Sequence, residues 1–336
     1  MSQLYSAEIA GMGHYVPSRV VMNADLEQLM ETTDAWIQER TGIQQRRWFT
    51  EGEDTTANMG ARAARMALEQ AGLQPDDVQL IVFATLSPDY LFPGSGVLLQ
   101  RELGIKAPIP AFDVRNQCSG FIYALSLADQ FIKTGMYETA LVVGSEIHSS
   151  GLDKSTRGRA VSVIFGDGAG AAVLRRSSRE GHGILSTHLH AQGEHAEELI
   201  TKEPGSNREN RVQVVLDDPE SMYPYMNGQQ VFKHAVTRFP EVINEALQAN
   251  GYQAADINLL IPHQANLRIT QYVGQKMGLS ADKVYSNIQR YGNTTAASVP
   301  LALSEAVQEG RVQRGDLVCL AAFGSGFTWG SALIKW

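Results

Sequence analysis

Apolar residues fall along this chain in two rhythms. Short unbroken runs, Leu80–Ala84, Ala140–Val143, Ala171–Leu174 and Leu317–Ala322, have the length and character of strands buried on both faces. Between them lie longer stretches in which apolar side chains recur at helical spacing: Thr56–Ala71, Gly120–Thr134, Gln230–Ala249 and Ala297–Gln308. Strands and helices alternating in this way predict an α/β fold. Many glycines close the apolar runs, as in Gly166-Asp167-Gly168-Ala169-Gly170 and Gly324-Ser325-Gly326, where chain or ligand comes close. The polar segment 195–226, with Pro204-Gly205-Ser206-Asn207, reads as a long surface insertion.

The pattern repeats. Residues 67–82 align without gaps on residues 246–261, each a helix end, a Gly stop (Gly72, Gly251), an Asp-containing turn and a buried strand. Further on, Ala124-Leu125-Ser126 recurs as Ala302-Leu303-Ser304, and each helix leads through a glycine (Gly135, Gly310) to a strand. Two echoes in order, at nearly one offset, predict a duplicated unit with halves 1–175 and 176–336. Duplication also locates a site. Arg115–Gly120 of the first copy corresponds to Tyr291–Ala297 of the second, and Ala84–Ser87 corresponds to Ile261–Asn266. A pseudo-twofold then turns Cys118, His263 and Asn293 toward one cleft.

Composition narrows the possibilities. A chain of 336 residues suits two domains, and 43% hydrophobic with 19% charged residues excludes wholesale disorder. The net charge of −8 without a Lys/Arg cluster argues against nucleic-acid binding. No apolar run approaches the roughly 18 residues of a membrane span, and residues 1–13 lack the plan of a secretory leader. Two cysteines, Cys118 and Cys319, make no disulfide scaffold, so a cytoplasmic globular protein is expected.

Cys118 precedes an apolar helix in a setting of small polar residues. The positive end of the helix dipole there is expected to lower the thiol's pKa. Spacing alone leaves nucleophile and structural thiol both open. Cys319, inside a strand run, reads as a small buried hydrophobe. His263 follows a strand and Pro262, at a strand end of the kind that carries function in open α/β sheets. His188, His190 and His195 have metal-like content, but no acidic or thiol ligand completes them locally, and no metal is expected. Gly11-Met12-Gly13 suggests a dinucleotide fingerprint without its third glycine. An NAD-dependent oxidoreductase is thus the rival enzyme, and it leaves Cys118, His263 and Asn293 unexplained.

Taken together the segments resemble the β-ketoacyl-acyl-carrier-protein synthase III family of the thiolase superfamily. The resemblance runs over essentially the whole chain: Thr33–Gly42, Gln117–Phe121, Phe165–Val173, Pro262–Arg268, Gly292–Ser298 and Gly326–Ser331. It implies a duplicated five-layer α-β-α-β-α thiolase-like fold, a homodimer, and an acyltransferase of fatty acid biosynthesis. That enzyme condenses an acyl-CoA primer with malonyl-acyl carrier protein through an acyl-Cys118 intermediate, without a cofactor. His263 and Asn293 are implied as donors to the enolate oxygen, with the N–H groups of Cys118 and Ser325 as a second oxyanion hole. The resemblance further implies that Trp36, Arg40 and Arg157 contact coenzyme A, with Trp36 stacked on its adenine and Arg157 flanking the adenine. By the same resemblance Phe92 closes the acyl pocket across the dimer, and Lys233, Arg268 and Lys276 dock the acidic carrier.

The chain departs from the fatty-acid initiating enzymes at Asn116-Gln117-Cys118-Ser119, at Gly324-Ser325-Gly326, in the longer Arg157–Phe165 segment, and at Gln275-Lys276. These features resemble synthase III relatives of specialised metabolism, such as those making alkylquinolones. They leave open a longer or unusual primer. A catalytically silent acyl-binding relative is the non-enzyme alternative, and the intact Cys, His and Asn argue against it.

Overall fold

A computed structural model of the chain describes residues 5–177, 179 and 181–336. Its first sheet contains β1 (Ser6–Tyr15), β2 (Leu80–Ala84), β3 (Ala111–Val114), β4 (Thr139–Glu146) and β5 (Gly168–Ser177), in the order β1-β5-β4-β2-β3. The second contains β6 (Gly183–Ala191), β7 (Leu259–Pro262), β8 (Leu317–Gly324) and β9 (Thr328–Lys335), in the order β6-β9-β8-β7. The second order repeats the first, strand for strand. In each sheet the outer two pairings are antiparallel, and the next, β4 with β2 or β8 with β7, is parallel. The place of β3 is taken in the second sheet by a single parallel bridge from Leu260 to Val284.

Four helices complete the layers: α1 (Thr56–Ala71), α2 (Gly120–Lys133), α3 (Gly228–Ala249) and α4 (Ser298–Gln308). The strand alternation decides what each covers. Leu80, Val82 and Ala84 enter a central core with Phe121 and Leu125 of α2 and Val299 and Leu303 of α4. Ile81 and Phe83 turn outward onto Ala63, Ala64 and Ala67 of α1. In β8, Val318, Leu320 and Ala322 face the centre, while Leu317, Cys319 and Phe323 meet Phe239, Ile243 and Leu247 of α3. The layers are therefore α1, sheet, α2 with α4, sheet, α3: the five-layer thiolase-like arrangement.

The turns repeat as well. A one-turn helix follows α1 at Pro75–Asp77 and follows α3 at Ala254–Asp256. Its entry is capped identically: Gln74 N–H donates to Asp77 Oδ2 at 2.8 Å, and Gln253 N–H to Asp256 Oδ2 at 2.7 Å. From strand order and caps we infer two copies of one unit, dividing near residue 175. Among the described residues, no helix is long and apolar enough to cross a membrane.

One reading of the sequence needs correction. Segment 195–226 is not merely a surface insertion. It contains a helix at Arg211–Asp217 and a two-strand pairing of Leu199–Ile200 with Tyr225–Met226. Inside it the buried Glu203 accepts hydrogen bonds from Gly205 N–H and Arg208 Nε, both at 2.8 Å.

The two halves touch where β4 passes the turn before α4. A Cβ on Gly144 would lie 2.5 Å from the Ala296 carbonyl oxygen, so only glycine permits this approach. Gly144→Ala is expected to destabilise the fold by about 1–3 kcal/mol through overpacking, read as a lower midpoint in chemical denaturation. An unchanged midpoint would show that the turn yields freely.

Candidate active site

Cys118 lies in the one-turn helix Gln117–Ser119 that joins β3 to α2, and its counterpart Thr295–Ala297 leads into α4. The two turns pack against each other. Each contains a non-glycine residue in the left-handed region, Gln117 (φ 44°) and Thr295 (φ 54°). Such backbone is uncommon and is held here by the surrounding contacts. β8 also ends on the cysteine. A Cβ on Gly324 would stand 2.6 Å from Cys118 Cβ, so the absent side chain is what lets strand and cysteine meet.

Cys118, His263 and Asn293 line one cavity of about 130 Å3, with Phe239, Phe323 and Gly324. Among the described residues, no acidic or basic side chain other than His263 lines it. A second cavity of about 160 Å3 opens on another side of Cys118, lined by Leu86, Arg115, Gln117, His148 and Phe165 among others. It continues into a wider space of about 460 Å3 that shares Leu86, Arg115 and His148. The cover segment, residues 195–226, reaches the site: Leu199 lines both smaller cavities and accepts a hydrogen bond from Ser325 Oγ at 2.5 Å.

His263 is held from both ends. Its N–H donates to the Ala321 carbonyl at 2.8 Å, and Nδ1 lies 2.5 Å from Ser298 Oγ. Nε2 is buried without a partner among the described residues. Burial pushes the ring down to about 3, so it is neutral at physiological pH. Asn293 is anchored by its backbone, which donates to Ile164 O at 2.9 Å and accepts from Gly166 N–H at 3.0 Å. Its Oδ1 accepts from Thr295 N–H at 2.8 Å, which leaves the Nδ2 amide protons as the end free to donate.

For Cys118 the structure corrects the expectation of a lowered pKa. Burial, followed by the nearby Glu146 carboxylate, pushes the thiol up to about 12. The N–H groups of Cys118 and Ser325 act in the opposite direction. Glu146, missed in the sequence as one acidic residue after a strand, is fully buried and itself pushed up to about 7 by burial. It accepts from Thr85 Oγ1 at 3.0 Å, Ser87 Oγ at 2.5 Å and, across the halves, Ala296 N–H at 3.4 Å.

The remaining candidates lie around this centre. Trp36 is half-buried between two guanidinium groups, with Arg40 Cζ 4.6 Å and Arg159 Cζ 5.1 Å from its ring centroid. Arg157 pairs with Asp153 at 2.7 Å and with Glu220 of the cover. Phe92 is 83% exposed on a loop with Tyr90 and Leu91. Lys233, Arg268 and Lys276 are all exposed. Arg268 sits over Phe232, a cavity-lining neighbour of Lys233, whereas Lys276 is about 12 Å further along its helix. His188 and His190 share Glu245, at 3.2 and 2.6 Å, an acidic partner from α3 that local sequence could not supply. His195 lies elsewhere, against His234.

A buried cysteine facing fixed donors, with two chambers meeting at its sulfur on this five-layer frame, defines an acyltransferase of the thiolase class. A family model described as 3-oxoacyl-[acyl-carrier-protein] synthase III matches residues 112–193, and that of its C-terminal part matches residues 247–336. The beta-ketoacyl-[acyl-carrier-protein] synthase III of Rhodospirillum centenum is 48% identical over 98% of both chains. The crystal structure of 3-oxoacyl-[acyl-carrier-protein] synthase III from Aquifex aeolicus is 42% identical, with TM-score 0.90, covering 98% of this chain and 100% of its own. The priming beta-ketosynthase of the R1128 polyketide pathway is 32% identical at the same TM-score, covering 99% and 97%. The chain belongs to the 3-oxoacyl-[acyl-carrier-protein] synthase III family.

Both thiols are pushed up to about 12, so access rather than acidity separates them. Cys118 borders two cavities, whereas Cys319 is sealed under α3. Iodoacetamide is expected to label Cys118 in the folded protein and Cys319 only on unfolding. The Cys118 rate should rise about tenfold per pH unit up to pH 10, because the thiolate is the reactive form. A plateau near pH 7 would show instead a thiolate stabilised at the helix start.

Proposed function

We propose that this chain joins an acyl-CoA primer to malonyl-acyl carrier protein in the cytoplasm, by decarboxylative condensation through an acyl-Cys118 intermediate. Cys118 Sγ attacks the primer's thioester carbon, and the coenzyme A thiol leaves with the proton. The N–H groups of Cys118 and Ser325 receive the charge on the tetrahedral oxygen. The malonyl thioester then loses carbon dioxide. The electrons of the broken carbon–carbon bond form an enolate, whose carbon attacks the acyl-Cys118 carbonyl and expels the cysteine thiolate.

The observation that carries this reading is the character of the 130 Å3 cavity. Its wall offers no cation to a malonyl carboxylate, while His263 Nε2 and Asn293 Nδ2 stand free to donate to an oxygen. Charge leaving the carboxylate is therefore drawn toward the thioester oxygen. Neutral His263 suits this task, because a donor is needed there and not an acid. Trp36 between Arg40 and Arg159 supports an adenine-stacking platform with cationic neighbours for phosphate. Lys233 and Arg268 beside the cavity mouth support docking of an acidic carrier. The exposed Tyr90, Leu91 and Phe92 support a homodimer in which this loop reaches the partner's primer chamber.

His263→Ala and Asn293→Ala should each acylate Cys118 normally and lose malonyl decarboxylation by about a hundredfold or more. Intact-protein mass spectrometry reads the first step and carbon dioxide release the second. A variant that decarboxylates but cannot be acylated would reverse these roles.

A second reading, a primer unlike the acetyl group, draws on the other chamber. Arg115, Gln117 and Thr201 line it with side chains that hold no hydrogen bond or ion pair among the described residues. Arg115 and Thr201 are exposed and Gln117 half-buried, so they are polar partners that a larger oxygen-bearing acyl group could use and a plain short alkyl group could not. Comparing kcat/KM for acetyl-, octanoyl- and aroyl-CoA at fixed malonyl donor decides between the readings. A clear acetyl-CoA optimum removes the second.

A further inference from the structure

His263 is expected to act as a donor through Nε2, yet a neutral imidazole carries its single proton on either nitrogen. Which nitrogen holds it depends on the partner of the other, and that partner is the hydroxyl at the first turn of α4. Ser298 is buried, and its Oγ lies 2.5 Å from His263 Nδ1. The same oxygen accepts a hydrogen bond from Gln264 N–H at 3.3 Å. One lone pair is thereby used, and the hydroxyl proton remains to be placed.

We propose that Ser298 is a positioning residue that fixes His263 in its Nε2–H form by donating its hydroxyl proton to Nδ1. The two alternatives differ in their unpaired groups. With the proton on Nε2, Ser298 donates to Nδ1, Gln264 donates to Ser298, and only Nε2–H is left open toward the cavity. With the proton on Nδ1, Ser298 must accept twice and its own buried O–H has no acceptor among its recorded partners. Nε2 would then face the cavity as an acceptor, the wrong polarity for an enolate oxygen. An unsatisfied buried donor is costly, so the network selects the first form.

The surroundings keep the relay in register. Gln264 is buried, donates through Nε2 to Pro262 O at 2.7 Å, and accepts at Oε1 from Ser286 Oγ at 3.0 Å and Asn287 N–H at 3.1 Å. The Gln264 N–H is thus held where it can reach Ser298, one residue from the histidine it helps to orient. Ser298 lines neither of the two cavities that meet at Cys118, so its effect on chemistry passes through His263.

The inference rests on the role given to His263 above, and its test has one arm independent of that role. In protein labelled with 15N-histidine, His263 Nε2 should show the shift of a protonated, pyrrole-type nitrogen and Nδ1 that of a pyridine-type nitrogen. Ser298→Ala should move both toward averaged values. In the activity arm, Ser298→Ala should lower kcat for malonyl decarboxylation at least tenfold, leave the rate of Cys118 acylation unchanged, and change KM little. Ser298→Thr, which keeps the hydroxyl, should recover most of the loss. Pyrrole-type Nδ1 in the unmodified protein overturns the proposal whether or not any variant folds. So does Ser298→Ala that decarboxylates at the full rate with unaltered histidine shifts. If the shifts behave as described and the unmodified protein releases no carbon dioxide from malonyl thioesters, the assigned reaction fails while the Ser298 relay stands.

Discussion

Everything at this site depends on one contact: two turns, one from each half, packed backbone to backbone at the centre of the molecule. β4 meets Ala296 and β8 meets Cys118 at distances that a single methyl group would prevent. Because the turns meet, a cysteine from the first half shares a cavity with a histidine and an asparagine from the second. Glu146 joins the same contact from below, collecting donors from Thr85 and Ser87 on one side and Ala296 on the other. A single α/β unit has a sheet end with nothing opposite. Two of them, face to face, enclose a space.

Enclosure sets the electrostatics. The sites that first suggest charge, a thiolate at a helix start and a titrating histidine, are both held neutral at pH 7 by burial, with the thiol near 12 and the imidazole near 3. Desolvation outweighs the helix end here, because the dipole acts over one turn while both side chains are buried. Glu146 makes the same point with the opposite sign of consequence. A buried carboxylate pushed up to about 7 binds protons that the unfolded chain has released, so stability from this residue is lost as pH rises from 4.5 toward 7. The fold retains it for the hydrogen bonds it accepts.

Much of this was legible in the sequence. Leu80–Ala84 and Thr56–Ala71 fall on their elements because an unbroken apolar run and a helical apolar stripe have few other uses. The internal echo carried further, since it paired loops that no local pattern would connect, and so brought Cys118, His263 and Asn293 together. What stayed hidden depended on orientation or depth. Arg157 and Arg159 are equivalent on paper, yet one pairs with Asp153 and the other lies over Trp36. Ser298 looks like any small residue opening a helix. The cover segment reads as polar because its outer face is wet, while Leu199 and Met226 point inward.

The two chambers at Cys118 then make opposite demands of their walls. The decarboxylating side must avoid stabilising the malonyl carboxylate, because any cation placed there would hold the charge that has to move. Its apolar lining meets that demand, and its two donors lie where the charge arrives rather than where it starts. The primer side has no such restriction, since in the proposed reaction the acyl group's charge is confined to the tetrahedral oxygen at Cys118 and its chain carries none. Arg115 and Gln117 line that side together with Cys118, where under the proposed reaction polar side chains can meet the primer away from the malonyl carboxylate. Under the proposed reaction, specificity is therefore free to change at primer-side side chains such as Arg115 and Gln117, while the chemistry is held by backbone N–H groups and by His263 and Asn293.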